Sequence, residues 1–449
     1  MTERIHFVGV KGSGMSALAQ ISARMEKAAI TGSDVNESFF TDKLLAKAGI
    51  AVLPFSAANI NNVDLVVASA AYTQDHPEIA RAMEIGIPVL SYPEYLGRLM
   101  AKRRGISITG THGKTTTTAL VGSILLDAGL DPTIVVGSDV PTMGGNAYAG
   151  SGEFFLAESC EYRRHFLNYS PEFLVILNME LDHPDYFKDL ADVIDAFQEL
   201  AAKVPQQGKI IIWGDDANWA QIKSNAPIIT YGFAAHNDYQ AAAVSFAKGS
   251  ATFELFYKGK YLGIFELGVS GRHNILNCLA AIALGVCLGV SPATMRESLR
   301  NFHGTKRRFE KLGECNGALI VDDYAHHPTE INATLEGARL AFPHHRIVAV
   351  FQPHTFTRTE RLLDDFSQCF RYADEVVVAE IFASAREKGG SGIDAATLAE
   401  KICATGVDAK FLGDFQQIKD YLSPKLAKDD LVLTMGAGDI YKLGLNLVG

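Results

Sequence analysis

Cysteine is scarce and unpatterned in this 449-residue chain. There are six, at positions 160, 278, 287, 315, 369 and 403, and no two have Cys-x-x-Cys spacing. Neither a zinc knuckle nor a disulfide framework is suggested, and a reducing cytosol fits best, so a cytoplasmic protein is expected. No apolar run is long enough to span a bilayer. The first residues, Met1 to His6, lead directly into a strand pattern without the layout of a signal peptide, so no membrane partner is expected. Positive charge is also in short supply: the formal net charge is −10, which argues against a general nucleic-acid binder. Internal repeats and low-complexity tracts are absent. What is present is core material, with 48% hydrophobic and 20% charged residues, over a length that suits two to four domains.

One stretch organises the rest: Gly110-Thr111-His112-Gly113-Lys114-Thr115-Thr116. It follows the apolar run Gly105–Thr109, which reads as a buried strand, and it opens a helical pattern from Thr116 to Ala128. Strand, glycine turn, Lys-Thr and helix is the context of a phosphate loop. Glycines let backbone N–H groups curl round phosphate oxygens, and the helix N-terminus adds partial positive charge. Lys114 would reach the β- and γ-phosphates and the Thr115 hydroxyl would ligate Mg²⁺. Only Thr111 and His112 separate the two glycines, where the usual loop has four residues; a plain glycine turn capping a helix is the competing reading.

An earlier turn has a related look. Residues 5–10 read as a buried parallel strand, followed by Gly9, Gly12, Ser13, Gly14 and Met15 and a helix from about Ser13 to Lys27. The spacing is not G-x-G-x-x-G. Asp34 lies 20 residues past Gly14, where a nucleotide-binding βαβ unit often places a carboxylate for a ribose hydroxyl. Nucleotide diphosphate binding and a tight structural turn both fit these residues. Strands near 50–53, 63–68 and 87–90 complete a doubly wound first domain ending at Arg103-Arg104.

Further polar groups follow strand ends, where open α/β sheets place ligands. Glu158 follows Phe154–Ala157, and His183 lies in the turn after Phe173–Asn178. Both are candidate metal ligands beside the phosphate loop. Mg²⁺ prefers oxygen, so Glu158 suits it better than His183. The stretch 238–268 alternates around Lys258-Gly259-Lys260 and reads as an antiparallel hairpin. A third α/β unit has strands near 317–322, 346–351, 374–379, 408–412 and 430–434. In it, Asp322 to Glu330 reads as a substrate-facing loop rather than a zinc site, because adjacent His326 and His327 side chains rarely meet one ion. Arg307 and Arg308 have the character of a phosphate clamp or of a solvated pair. Arg358 suits a carboxylate.

Taken together, GVKGSGMSALA (9–19), GTHGKTTT (110–117), AESCEYRRHF (157–166), NMELDHPDYF (178–187), GRHNILN (271–277), GTKRRFE (304–310), DDYAHHPTEI (322–331), FQPHTFTRT (351–359) and TMGAGDI (434–440) resemble the Mur ligase family. These motifs span nearly the whole chain in the family's order. The resemblance implies an α/β fold of three domains: an N-terminal Rossmann-like UDP-sugar domain (1–104), a central P-loop ATPase with a parallel sheet and a small antiparallel part (105–302), and a C-terminal Rossmann-like α/β domain facing the amino acid and nucleotide (303–449). It implies ATP-driven amide formation between L-alanine and the lactoyl carboxylate of UDP-N-acetylmuramate through an acyl phosphate, in a monomer or weak homodimer. Two Mg²⁺ ions are implied, with Thr115 and Glu158 on one and His183 on the other. Lys114 and Arg308 would contact the γ-phosphate, His273, Asn274 and Asn277 the adenine side, and Asp323 the ribose or nucleotide. Tyr324, His326 and Arg358 would form the amino-acid pocket.

Two departures stand out. Thr355 occupies a position where many relatives carry arginine, which leaves Arg358 as a lone carboxylate clamp. The segment Ser159–Arg164 replaces a more acidic version, which puts its sugar contacts in doubt. Competing readings are a recycling ligase that adds a tripeptide to the same UDP-sugar, a folylpolyglutamate synthetase, and an NAD-binding oxidoreductase or non-catalytic nucleotide sensor. FQPHTFTRT favours the alanine enzyme, a full first domain disfavours the second, and the phosphate loop with Glu158 and His183 disfavours the last.

Overall fold

The computed structural model describes residues 2–183, 186–247, 249–383 and 392–449. The turn residues Pro184 and Asp185, quoted in the motif at 178–187, lie outside the described residues. The chain divides into two compact units, Met1–Met179 with Val193–Gln240 and Cys278–Ser298, and Glu180–Asp192 with Ala241–Asn277 and Leu299–Gly449.

The first unit begins with β1 (Arg4–Val8), α1 (Ser13–Met25), β2 (Ala29–Ser33), α2 (Thr41–Lys47), β3 (Ala51–Leu53), β4 (Leu65–Ala68), α3 (Pro77–Glu84), β5 (Val89–Ser91) and α4 (Tyr92–Met100). The strands form a parallel sheet in the order β3-β2-β1-β4-β5. Strand order reverses between β1 and β4, the point where such sheets open a crevice for ligands. The apolar runs at β1 and β4 are buried on both faces, as parallel strands flanked by helices must be.

The second sheet of this unit is built from β6 (Arg104–Thr109), β7 (Thr133–Val140), β8 (Gly145–Ala149), β9 (Phe154–Glu158), β10 (Phe173–Ile176), β11 (Lys209–Trp213) and β12 (Ile228–Gly232). Its order is β12-β11-β10-β6-β9-β7-β8, parallel except for β8. Helix α5 (Lys114–Asp127) follows β6 and is buried from Thr115 to Leu125. A helix covered almost all round can be apolar on every side, which is why its sequence shows no polar face. Helix α6 (Leu190–Ala201) shows the opposite pattern, with Val193, Ala196, Phe197 and Leu200 buried on one stripe.

The second unit holds β13 (Tyr239–Ala247) from Ala241 onward, β14 (Ser250–Tyr257) and β15 (Lys260–Leu267). β14 and β15 pair antiparallel, and their two-residue turn has positive φ at both Lys258 (49°) and Gly259 (75°). That is the turn geometry whose twist matches paired strands. The expected hairpin is thus present, with β13 as an additional strand. Helices α7 (Arg272–Cys287) and α8 (Pro292–Arg300) carry the chain across the division.

The last sheet comprises β16 (Glu310–Cys315), β17 (Ala318–Asp323), β18 (Arg346–Phe351), β19 (Glu375–Ala379), β20 (Asp408–Gly413) and β21 (Asp430–Met435). Its order is β16-β17-β21-β18-β19-β20, parallel except for β16. Apolar clusters cover both faces, one centred on Val321, Phe351 and Leu433 and the other on Ile320, Val350 and Val432. Helix α9 (Pro328–Ala341) follows β17, and the short α10 (Phe356–Arg361) follows β18. The architecture is therefore α/β, with mainly parallel sheets and a smaller antiparallel part. β16 is not anticipated from its sequence: EKLGEC is polar and only partly buried, and its pairing with β17 makes it a strand.

Candidate active site

In the first unit, the phosphate loop leaves β6 and enters α5. Gly110 and Gly113 have φ of 138° and 84°, a region that favours glycine. A Cβ at Gly110 would also lie 3.0 Å from the Asn178 backbone nitrogen, so a side chain there has no room. Asn178, just past β10, holds the loop. Its Oδ1 accepts from the His112 amide (2.7 Å), its Nδ2 donates to the His112 carbonyl (3.1 Å), and its own carbonyl accepts from the Thr111 amide (3.1 Å).

Lys114 opens α5. Its ammonium donates to the Gly110 carbonyl, to the Thr111 carbonyl (3.0 Å) and to Glu161 Oε2 (3.0 Å). Burial alone would lower its pKa; Glu161, with Cys160 and Glu158, outweighs that and raises it. Lys114 is therefore charged at neutral pH. The Thr115 hydroxyl donates to the Glu158 carboxylate, 3.0 Å from each oxygen, and the Gly137 amide donates to Glu158 Oε2 at 2.8 Å. The Thr115 hydroxyl and the Glu158 carboxylate offer oxygen ligands, as a hard cation prefers. A Cβ on Gly137 would come within 2.8 Å of Glu158 Oε2, so the glycine leaves the space that the carboxylate occupies. The residues present fit Mg²⁺. Thr116, like Thr111, is buried at the loop.

The first glycine turn lies on the end of β2. The Gly9 and Val10 amides donate to the Ser33 carbonyl, and the Lys11 amide donates to Asp34 Oδ2 (2.6 Å). Asp34 thus supports the turn through its carboxylate. Gly12 precedes α1 without contributing a side chain, and Gly14 faces Tyr92, whose ring carbon would lie 2.7 Å from an added Cβ. The Ser13 hydroxyl donates to the Gly137 carbonyl at 3.0 Å. Gly137 therefore links the two glycine turns of this unit. Met15 is 3% exposed, so its side chain belongs to the core.

In the second unit, Asp323 ends β17. Its carboxylate accepts from the Phe309 and Ala325 amides (2.8 Å each) and from Thr334 Oγ1 (3.4 Å). Burial pushes it up to about 6, against the pull of Arg308 and those amides. Arg308 lies 3.7 Å from Glu330 and over the Tyr324 ring at 5.3 Å. Arg307 is a structural residue: it bonds Asp322 Oδ2 (3.0 Å) and the Gly436 carbonyl (2.7 Å) and packs over Tyr324 and Tyr441. His326 Nδ1 lies 3.2 Å from Glu330, whereas His327 caps α9.

His273 is buried at the start of α7, where burial and then Arg308 bring its imidazole down to about 4 against the pull of Glu330. Asn277 Nδ2 donates to Asn274 Oδ1 (3.3 Å), and Asn274 Nδ2 donates to the Ser270 carbonyl (2.7 Å). His183 has φ of 53°, and its amide donates to Asp182 Oδ1 at 2.6 Å. Arg358, in α10, is 7% exposed and already engaged. Its Nε and one terminal nitrogen donate to Asp182 Oδ1 (3.2 and 3.0 Å), and the other terminal nitrogen donates to the His354 carbonyl (2.8 Å). Burial opposes charge on Asp182, but Arg358, His183, His326 and His327 hold the carboxyl far below the ordinary range.

Four residues lie inside the quoted motifs without a role assigned to them there: Glu161, Asn178, Asp182 and Glu330. Each is a partner of a recognised residue. A buried lysine or arginine requires a counter-charge, which gives the class of partner but not its position.

Comparison with known proteins gives three matches in series along the chain. Residues 4–104 match the Mur ligase family catalytic domain, 108–285 the Mur ligase middle domain, and 307–438 the Mur ligase glutamate ligase domain. The chain is 61% identical to the UDP-N-acetylmuramate–L-alanine ligase of Desulfitobacterium hafniense, over 100% of both chains. It superposes on the crystal structure of the UDP-N-acetylmuramate-alanine ligase of Thermotoga maritima with a TM-score of 0.84 and 29% identity, covering 99% of this chain and 98% of that one. A murein peptide ligase from Psychrobacter arcticus gives a TM-score of 0.72 and 26% identity, covering 100% and 99%. With three family models laid in series and a relative this similar from end to end, the chain belongs to the Mur ligase family.

Proposed function

We propose that this chain is an ATP-dependent ligase that joins L-alanine to the lactoyl carboxylate of UDP-N-acetylmuramic acid in peptidoglycan synthesis. The observation that carries this reading is the 61% identity, over the full length of both chains, to a relative of that name. A tripeptide-adding ligase is not favoured: the murein peptide ligase resembles the chain at 26% identity.

The chemistry explains the need for ATP. A carboxylate is a poor electrophile. Its oxygen attacks the γ-phosphorus, ADP departs, and the acyl phosphate carries a good leaving group. The alanine nitrogen attacks the acyl carbon, inorganic phosphate leaves and the amine gives up a proton. Two anions must meet in the first step, so fixed positive charge lowers the barrier. Lys114 supplies it, held at the loop by Glu161 and two carbonyls. Thr115 and Glu158 would hold Mg²⁺, which when bound offsets phosphate charge. The resemblance assigns His183 as a further metal ligand and Arg308 as a γ-phosphate contact. It gives His273, Asn274, Asn277 and Asp323 to the nucleotide, and Tyr324, His326 and Arg358 to alanine. Gly12, Ser13, Gly14, Met15 and Asp34 are assigned to the UDP-sugar. Domains at 1–104, 105–302 and 303–449 are supported by the three family matches. Among the described residues no helix is long and apolar enough to cross a membrane. A cytoplasmic monomer or weak homodimer acting on small molecules fits this reading.

The test is mass spectrometry of the product formed from UDP-N-acetylmuramate, ATP, Mg²⁺, a mixture of amino acids and the murein tripeptide. The expected product carries one alanine. A tripeptide adduct in its place, or no ATP requirement, overturns the proposal.

A further inference from the structure

Glu78 carries a buried charge that none of the roles above uses. It lies in the first turn of α3 and is fully buried, as is His6 on β1. Both carboxylate oxygens have partners. Oε2 accepts from the Ser33 hydroxyl, while Oε1 accepts from the Ser56 amide (3.1 Å) and from Asn59 Nδ2 (2.6 Å). His6 Nε2 lies 3.6 Å from Oε1 and 3.2 Å from Ser33 Oγ, and its Nδ1 is 2.8 Å from Thr31 Oγ1. Since the Ser33 hydroxyl donates to Glu78, its oxygen accepts from His6 Nε2–H.

Burying a carboxylate is expensive, and an apolar side chain would fill the same space at lower cost. The charge brings three segments to one point: the end of β2, the segment after β3 and the start of α3. The end of β2 matters most for ligands. The Ser33 carbonyl accepts the Gly9 and Val10 amides (2.9 and 3.1 Å), and the neighbouring Asp34 accepts the Lys11 amide (2.6 Å). Three consecutive amides of the first glycine turn therefore rest on residues 33 and 34. Ser33 is pinned in turn from beneath by Glu78 and His6. The turn itself leaves β1, at the place where the strand order of this sheet reverses.

We propose that Glu78 is a positioning residue for UDP-sugar recognition, holding the turn Gly9–Gly14 in its binding geometry through Ser33. The inference rests on the ligase reading, in which that turn takes the UDP-sugar. A purely structural role for Glu78 makes a different prediction. It would lower stability and leave the three substrates equally affected.

Four full-length proteins separate the two: wild type, Glu78→Gln, Ser33→Ala and Asn59→Ala. Calorimetry measures the binding of UDP-N-acetylmuramate and, separately, of Mg·ADP; steady-state kinetics measures KM for each substrate. Glu78→Gln and Ser33→Ala are expected to weaken UDP-N-acetylmuramate at least fivefold in both Kd and KM. Mg·ADP binding and alanine KM stay within twofold. Asn59→Ala removes a Glu78 partner that does not lead to the turn, so it lowers Tm while UDP-N-acetylmuramate binding stays within twofold. If Glu78→Gln does not fold, Ser33→Ala carries the test. Unchanged UDP-N-acetylmuramate binding in Ser33→Ala, or an equal loss in Asn59→Ala, overturns the inference. A wild-type chain that binds no UDP-N-acetylmuramate overturns the ligase reading itself, an outcome visible before any variant is compared.

Discussion

Arg358 shows how a residue's chemistry and its surroundings combine. Its sequence context suits a carboxylate, and Thr355 offers no second guanidinium nearby in the chain. The structure supplies a carboxylate of the protein's own, Asp182, at 3.0 Å with both side chains 8% exposed. A pair this dry is fragile in one direction: removing one partner leaves the other charged and without its counter-charge. Asp182→Ala should cost about 3–5 kcal/mol of stability. The double variant with Arg358→Ala should cost less than the sum of the single ones, as read from a denaturation cycle. Arg358→Lys keeps the charge but loses the fork of donors, so alanine KM should rise more than the KM of ATP or UDP-sugar. Equal changes for all three substrates would make the arginine a folding residue only.

At the scale of elements, the loop after β6, the middle of β7 and the end of β9 meet around Glu158 in the first unit. β7 and β9 are parallel neighbours, and this brings Gly137 beside Glu158. Gly137→Ala would place a methyl 2.8 Å from Glu158 Oε2 and 3.1 Å from Oε1. The carboxylate must then swing away from Thr115. The expected result is a higher Mg²⁺ concentration for half-maximal turnover and about 1–3 kcal/mol lost to overpacking. A Mg²⁺ titration that matches wild type would separate Glu158 from the metal. Nothing in the sequence near Gly137 announces this contact, because the two residues are 21 apart and meet only through strand pairing.

For the molecule as a whole, pH should act through opposed buried groups. Asp323 has a folded value of about 6 against 3.8, so its contribution is full below 3.8 and is lost as pH rises through 6. His273 has a folded value of about 4 against 6.5, so its contribution is full above 6.5 and is lost as pH falls through 4. Between these limits the two nearly cancel. Glu78 is brought down to about 2 from 4.5: burial opposes this, but bonds from His6, Ser33, Ser56 and Asn59 prevail, and its contribution is lost progressively as pH falls below 4.5. Thermal unfolding should therefore be nearly level from pH 6.5 to 4.5 and drop steeply below. Asp323→Asn removes one side of the balance, so its Tm should already decline between 6.5 and 4.5. A level profile in that variant would show that the two groups do not oppose each other.

The sequence by itself determined the α/β class, the buried strands β1, β6 and β17, the hairpin and the glycine turns. These rest on local rules: apolar runs for buried strands, glycine where φ is positive, Lys-Thr where a helix begins. It also marked Lys114, Thr115 and Glu158 by residue type and position, and Asp323 through the family resemblance. Tertiary structure alone decided the partners: Glu161 for Lys114, Asn178 for the phosphate loop, Asp182 for Arg358 and Glu78 for Ser33. It also decided that polar β16 is a strand and that Met15 turns its side chain into the core. The reason is physical. A charge or an amide has its energy set by whatever lies within a few ångströms, and tertiary packing brings that neighbour from 45 residues away, as with Ser33 and Glu78, or from 176, as with Asp182 and Arg358.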